Sequence, residues 1–181
     1  MSAPISQAFK PGTLYAVLLY RGDPTPTPNT WHCALFLPSE PLPNDPPSTL
    51  RGTAWHCTNK NTSELWAYEE LAPDQLLLNE RLVLGARLAD LSPLGEHADV
   101  ASELSLILRA VPVRPEAHSS VFNARTWMLD GIGELDDGGF LSCVSTLALE
   151  SELVSAAGLA MQKYMEDGSY VMITPRNCSD S

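Results

Sequence analysis

The sequence is short of positive charge. Its 11 lysines and arginines are outnumbered by 22 aspartates and glutamates, which leaves a net charge of −11. A surface this acidic repels phosphate backbones, so the composition argues against a nucleic-acid partner. The chain also lacks a run of about 18 apolar residues, which a membrane-spanning helix requires. The composition therefore predicts neither a nucleic-acid-binding protein nor a membrane span.

Cysteine is also scarce, with four residues in a chain of 181. Four are too few for a secreted disulfide scaffold, and residues 1–12 lack the charged-then-apolar layout of a signal peptide. We therefore expect reduced thiols and a cytoplasmic location. Cys33 and Cys57 are predicted to be small apolar core residues. Cys143, near a predicted helix start, and Cys178, in the tail, are candidates for reactive thiols.

The order of the predicted elements favours an α+β fold, because strands come first and helices follow without βαβ alternation. Apolar runs and alternation predict strands at 14–20, 31–37, 53–58, 65–69 and 81–91, with an edge strand at 170–174. Helical spacing predicts helices at 96–109, 123–135 and 141–165. The length and an apolar fraction of 44% predict one domain over 1–181, with flexible ends at about 1–11 and 176–181.

The tripeptide Trp-His-Cys occurs twice, at 31–33 and at 55–57. Neighbouring side chains on a strand point to opposite faces. If the two predicted strands pair, His32 and His56 therefore share one face and the cysteines lie on the other. This geometry disfavours a His₂Cys₂ zinc site, and we predict neither a metal nor a cofactor. The plainer interpretation, that both rings only fill space in the core, stays open.

A second pattern lies at 123–127, where the string Asn-Ala-Arg-Thr-Trp begins a predicted helix. A histidine on a strand and a nucleophile at a helix start are the arrangement that a thiol enzyme needs. Here the nucleophile position holds Ala124, which has no nucleophilic atom. The acidic pair Glu69 and Glu70 is interpreted as part of a solvated turn.

Together these patterns resemble the circularly permuted papain-like enzymes. That superfamily includes the lecithin:retinol acyltransferase group, permuted NlpC-type peptidases and the desumoylating isopeptidases. In these families a histidine within an H-W/Y-(A/G)-(I/L)-Φ strand precedes an N-C-x-x-W/F string that begins a helix. The string HCALF at 32–36 is similar to the first pattern, and NARTW at 123–127 is similar to the second. The chain also resembles a group of uncharacterised fungal proteins with an HWAL strand and an NCxTW helix.

The resemblance covers about residues 14–135 and implies a permuted papain-like fold, in which an antiparallel sheet carrying the histidine packs against helices. It implies a cysteine hydrolase or acyltransferase that acts on an amide, thioester or ester, as peptidases and thioesterases do. The partner implied is a small-molecule or peptidyl acyl substrate.

The resemblance also assigns roles to residues. Ala124 takes the nucleophile position, His32 is the base, and His56 orients that base. Asn123, Trp127 and Trp31 are expected beside the substrate. Backbone N–H groups at residue 124 and its neighbours are expected to form an oxyanion hole.

Ala124 makes the chain inactive as written. An engineered Cys→Ala change and a natural pseudoenzyme, which binds a peptide or small molecule, both account for it. The intact residues around it favour engineering, because a lineage that lost catalysis is free to lose its base as well. The last predicted helix, 141–165, packs on its own sheet or forms a homodimer interface, and the sequence leaves this choice open.

Overall fold

The computed structural model describes residues 5–22, 31–46, 48–59, 66–113 and 122–180. The fold is α+β, as the element order predicts. The strands are β1 (Thr13–Leu19), β2 (His32–Pro38), β3 (Gly52–Thr58), β4 (Ala67–Leu71), β5 (Leu82–Asp90), β6 (Ser142–Cys143), β7 (Val171–Ile173) and β8 (Cys178–Ser179). The helices are α1 (Leu78–Arg81), α2 (His97–Ala110), α3 (Ala124–Asp137) and α4 (Thr146–Asp167).

Six strands form one mixed sheet in the order β4-β3-β2-β1-β5-β7. Neighbouring strands from β4 to β5 are antiparallel, and β7 adds to the edge of the sheet parallel to β5. Every residue of the central strand β1 is buried. A strand covered on both faces has no polar face, which explains why this segment reads as an unbroken apolar run.

Helices cover one face of the sheet, which we call the helix face. Residues of α2, α3 and α4 share a core cluster with side chains of this face, among them Leu18, Cys33, Trp55 and Cys57. A smaller cluster covers the second face, which we call the opposite face. It joins Leu19, Ala34 and Phe36 to the N-terminal Phe9 and to residues near α1. The period-two alternation of each strand decides which of these two cores a side chain enters.

The beginning of the described chain is packed, in contrast to the flexible end predicted at 1–11. Residues 1–4 lie outside the described part, but Phe9 is only 3% exposed. Its ring makes edge-on contacts with Tyr15 and Phe36, with centroids 4.9 and 5.1 Å apart. These contacts bury the ring and pack the segment against the sheet.

The predicted last helix begins later than expected. Ser145 caps α4 by accepting a hydrogen bond from the Ala148 N–H, and Gly168 ends it in the left-handed conformation at φ 73°. The preceding residues 142–143 are not helical because they form β6, which pairs with β8 in a separate two-stranded sheet. The predicted frayed tail at 176–181 is therefore wrong as far as residue 180.

A disulfide between Cys143 and Cys178 holds these two short strands together. The expectation of reduced thiols is therefore wrong for both residues, and neither is a free reactive thiol. The pairing was not visible in the sequence because 35 residues separate the two cysteines. The cytoplasmic location was predicted from the small number of cysteines and the layout of residues 1–12. A disulfide does not support it, and the location stays a prediction.

Helix α4 buries one stripe against the sheet, through Leu149, Leu153 and Ala157. Leu147 and Leu159 are largely exposed on the same helix, and a homodimer through them stays a prediction. No described helix combines the length and the apolar character needed to cross a bilayer.

Candidate active site

A cleft of about 470 Å³ opens at one end of the sheet, where β1 and β3 end and β2 begins. Residues next to α1 and the start of α3 complete its walls. Trp31, His32, Asn123 and Ala124 all line it. The fold thus brings together four of the six residues predicted for the site, from two segments about 90 positions apart in the sequence.

A chain of polar groups leads from this cleft into the sheet. His32 Nε2 lies 2.6 Å from His56 Nδ1, and the two rings meet edge-on at 90°. His56 Nε2 in turn lies 3.1 Å from Glu69 Oε2. His56 is fully buried, whereas the Glu69 side chain is 31% exposed. We call these three residues the His–His–Glu relay.

Strand register explains why the relay forms. On β2 and β3, Ala34 faces His56. His32 lies two residues before Ala34 on β2 and therefore on the same face as His56. On β3 and β4, His56 faces Glu69 directly. Diagonal and direct neighbours on one face lie within reach of long side chains. The prediction that the two histidines share a face is therefore confirmed.

If Glu69 is ionised and both rings are neutral, the two contacts of the relay allow one arrangement of protons. An ionised Glu69 can only accept, so His56 donates from Nε2 and carries no proton on Nδ1. His56 Nδ1 then accepts a hydrogen bond from His32 Nε2. This assignment leaves His32 Nδ1 as the basic nitrogen of that ring, on the residue that lines the cleft.

Glu69 is the relay member that sequence reasoning missed. Its interpretation as part of a solvated turn is wrong, because the residue lies in the middle of β4. The alternation of side chains along β4 could have identified Glu69, because every second residue of a strand beside β3 lies on the same face as His56. Glu70 points to the other side, where it accepts from the Tyr68 hydroxyl at 3.3 Å.

The start of α3 is built by a capping box around Asn123. Its Oδ1 accepts from the N–H groups of Arg125 and Thr126 at 2.9 and 3.1 Å, and Thr126 Oγ1 accepts from the Asn123 N–H. Such a cap satisfies helix donors that have no partner within the helix and typically contributes about 1 kcal/mol. It fixes Ala124 as the first helical residue, at 5% exposure.

The capping box limits the predicted oxyanion hole. The N–H groups of Arg125 and Thr126 are occupied by Asn123, so they are not available to a substrate oxygen. Among the described residues, the Ala124 N–H has no acceptor. One backbone donor therefore stays available at the nucleophile position, in place of the predicted group of several.

The two halves of the site approach from different sides of the sheet. α3 packs on the helix face, where Cys33 also lies, whereas His32 shares the opposite face with its β1 partner Leu19. His32 is the first residue of β2, and the cleft extends around that end of the sheet. His32 and Ala124 therefore line the same cleft at the end of the sheet, although they lie on different faces of it.

The two tryptophans predicted beside the substrate differ. Trp31 is half-buried and lines the cleft. Trp127 is fully buried in the core, with its ring centroid 5.7 Å from that of Tyr68. Trp127 does not line the cleft, and its complete burial contradicts the predicted contact with substrate.

The two unpaired cysteines are core residues, as predicted. Cys33 and Cys57 lie on the helix face, and burial raises the pKa of each thiol to about 12. They point away from the histidines that precede them, which explains why the His-Cys pairs form no chelating set. Within the described ranges, no three His, Cys, Asp or Glu side chains form a group suited to a metal ion.

Comparison of the chain with models of protein families, with curated proteins and with solved structures found no match.

Proposed function

We propose that this cleft is the acyl-transfer site of a thiol-dependent hydrolase or acyltransferase, with residue 124 as the nucleophile position. The observation that carries the proposal is the His–His–Glu relay, which ends at His32 in the same cleft that Ala124 lines. A base held by a second group, beside a helix start, is the arrangement of nucleophilic catalysis.

In the proposed mechanism a cysteine at 124 transfers its proton to Nδ1 of His32. The partial positive charge of the α3 N-terminus stabilises the thiolate. The thiolate attacks the substrate carbonyl, and the Ala124 N–H position donates to the developing oxyanion, an interaction typically worth about 3–4 kcal/mol. His32 then protonates the leaving group, and water or another acceptor releases the acyl group from sulfur.

Within this proposal His56 and Glu69 are positioning residues. Glu69 holds the His56 ring, and His56 holds His32 in the tautomer that has a basic Nδ1. The chain is then a member of the permuted papain-like superfamily, in its fungal branch, with an engineered Cys→Ala replacement. As written, it binds an acyl substrate without turning it over.

A second candidate is a non-catalytic binding module for a peptide or small molecule. Two observations favour it. Ala124 provides no nucleophile, and α3 lies on the helix face while His32 lies on the opposite face. In this alternative the cleft keeps its ligand-binding walls, and the relay is a buried structural network.

Restoring the thiol separates the two candidates. We would prepare Ala124→Cys and treat it with iodoacetamide near neutral pH, then locate the label by intact mass and peptide mapping. The proposal expects rapid labelling at 124, and a slower rate when His32→Ala is added. Labelling that is slow and indifferent to His32 would overturn the catalytic proposal and leave the binding module as the candidate.

The starting chain is the matched control for this experiment. It contains every other cysteine, and its two free thiols are buried with a pKa of about 12, so it should remain unlabelled under the same conditions. Turnover is then assayed with acyl thioesters, esters and amides on both proteins. Release of acyl product by Ala124→Cys alone identifies the bond that the site cleaves.

A further inference from the structure

The cleft is positively charged in a protein that is otherwise acidic. Three arginines, Arg21, Arg81 and Arg125, line it, and no aspartate or glutamate is among its described lining residues. The whole chain holds 22 acidic and 11 basic residues. Three of the 11 positive charges therefore lie around one cleft, although acidic residues outnumber basic residues two to one in the whole chain.

Two of these arginines have no acidic partner in the described part of the chain. Arg125 Nε lies 3.0 Å from Glu150 Oε1, so its charge is partly compensated. Arg21 and Arg81 form no ion pair with any described residue. Other arginines pair with a carboxylate, namely Arg51, Arg87 and Arg109. Arg176, outside the cleft, also forms no ion pair with a described residue, so Arg21 and Arg81 are two of the three described arginines that lack a carboxylate partner.

The positive charge extends to the inner wall of the cleft. Burial is the largest influence on the Cys33 thiol and raises its pKa to about 12. The positive charges of Arg125 and Arg21 act against this increase and reduce its size. A guanidinium that influences a buried group one residue from His32 also acts on a substrate in the same space.

We propose that the cleft selects an acyl substrate that carries a carboxylate near the reacting carbonyl, bound by Arg21 and Arg81. This inference rests on the function proposed for the site. Guanidinium groups present paired donors that match a carboxylate, and the half-buried rings of Trp31 and Trp66 supply apolar contact for the remainder of the acyl group. The net charge of −11 repels a polyanion more strongly than a single carboxylate.

Two alkylating reagents of nearly the same shape test this charge preference. Iodoacetate carries a carboxylate and iodoacetamide is neutral, and both form an S–C bond with a thiolate as iodide leaves. We would measure both rates at position 124 in Ala124→Cys, then repeat them with Arg21→Gln and Arg81→Gln added. The iodoacetamide rate reports any change in the pKa of the thiol, which affects both reagents alike. The inference expects the iodoacetate rate to fall about tenfold more than the iodoacetamide rate, as is typical of lost electrostatic focusing.

Arg109→Gln is the matched control, because Arg109 is exposed on α2 and does not line the cleft. It should alter neither rate. Arg81→Lys retains the charge and should keep most of the iodoacetate rate, which guards against a folding defect in the Gln variants. Added salt should weaken the preference by screening.

The outcomes separate this inference from the proposed function. An iodoacetate rate that is insensitive to Arg21 and Arg81 overturns the carboxylate preference, even where labelling depends on His32. Slow labelling that is indifferent to His32 overturns the catalytic proposal. In that case the ratio of the iodoacetate rate to the iodoacetamide rate still reports the charge of the cleft, because alkylation needs only a thiol at position 124.

Discussion

The disulfide between Cys143 and Cys178 should contribute a large part of the stability of this domain. It closes a loop of 35 residues, and the chain-entropy relation for such a loop gives about 4 kcal/mol at room temperature. The unfolded chain gains conformational freedom when the bond is broken. Without the disulfide, the folded protein should still hold its C-terminal segment partly in place, because Asp180 also accepts hydrogen bonds from the Arg87 side chain and from the Asp90 N–H.

We would measure urea unfolding of the oxidised protein and of Cys143→Ser/Cys178→Ser. The variant should be less stable by about 3–4 kcal/mol. Its m-value should be larger, because an unfolded chain without the cross-link exposes more surface. The oxidised protein, denatured without a reductant, should show two free thiols, from Cys33 and Cys57.

Two results would refute this reasoning. Four free thiols in the denatured protein would show that the bond does not form. A stability difference below about 1 kcal/mol, with the bond intact, would show that the loop is already ordered in the unfolded state.

Three further predictions concern the cleft. Glu69→Gln in the Ala124→Cys background should slow labelling at 124 by about 10-fold or more without lowering the melting temperature. Glu70→Gln is the control and should leave the labelling rate unchanged. Equal effects of the two substitutions would contradict a positioning role for Glu69. Leu77 lines the cleft with φ 56°, so Leu77→Gly should be more stable than Leu77→Ala by about 1 kcal/mol in urea unfolding, the reverse of the usual order. The Cys33 pKa of about 12 leaves a thiolate fraction of about 10⁻⁴ at pH 8, so the rate of iodoacetamide labelling at Cys33 should increase as the pH rises above 8. Rapid labelling of Cys33 at pH 8 would show that its thiol is not buried.

Much of the fold could be predicted because each strand has an independent local pattern. The predicted strand at 31–37 corresponds to β2, that at 53–58 to β3, and that at 81–91 to β5. The helix at 123–135 corresponds to α3, since Asn123 supplies a cap and the apolar residues follow at helical spacing. These signals are local, so no knowledge of the tertiary fold is needed to detect them.

The C-terminal region could not be predicted in the same way. From their neighbours alone, Ser142 and Cys143 are predicted to belong to a helix, and Cys178 is predicted to lie in a tail. Both assignments depend on a pairing across 35 residues, which leaves no local trace in the sequence. The charge of the cleft was hidden for the same reason, because its arginines come from segments that are distant in the chain.

The sequence by itself determined the α+β class and the helix start at Ala124, because strand alternation and helix capping act over a few residues. It predicted a shared face for the two histidines on condition that their strands pair, and the tertiary structure supplied that pairing. Only the tertiary structure decided that Glu69 completes the relay and that Trp127 is core. It also decided that His32 and α3 lie on different faces of the sheet and line one cleft at its end. These features depend on which strands pair and in which register, and that choice is made by the packing of the whole domain.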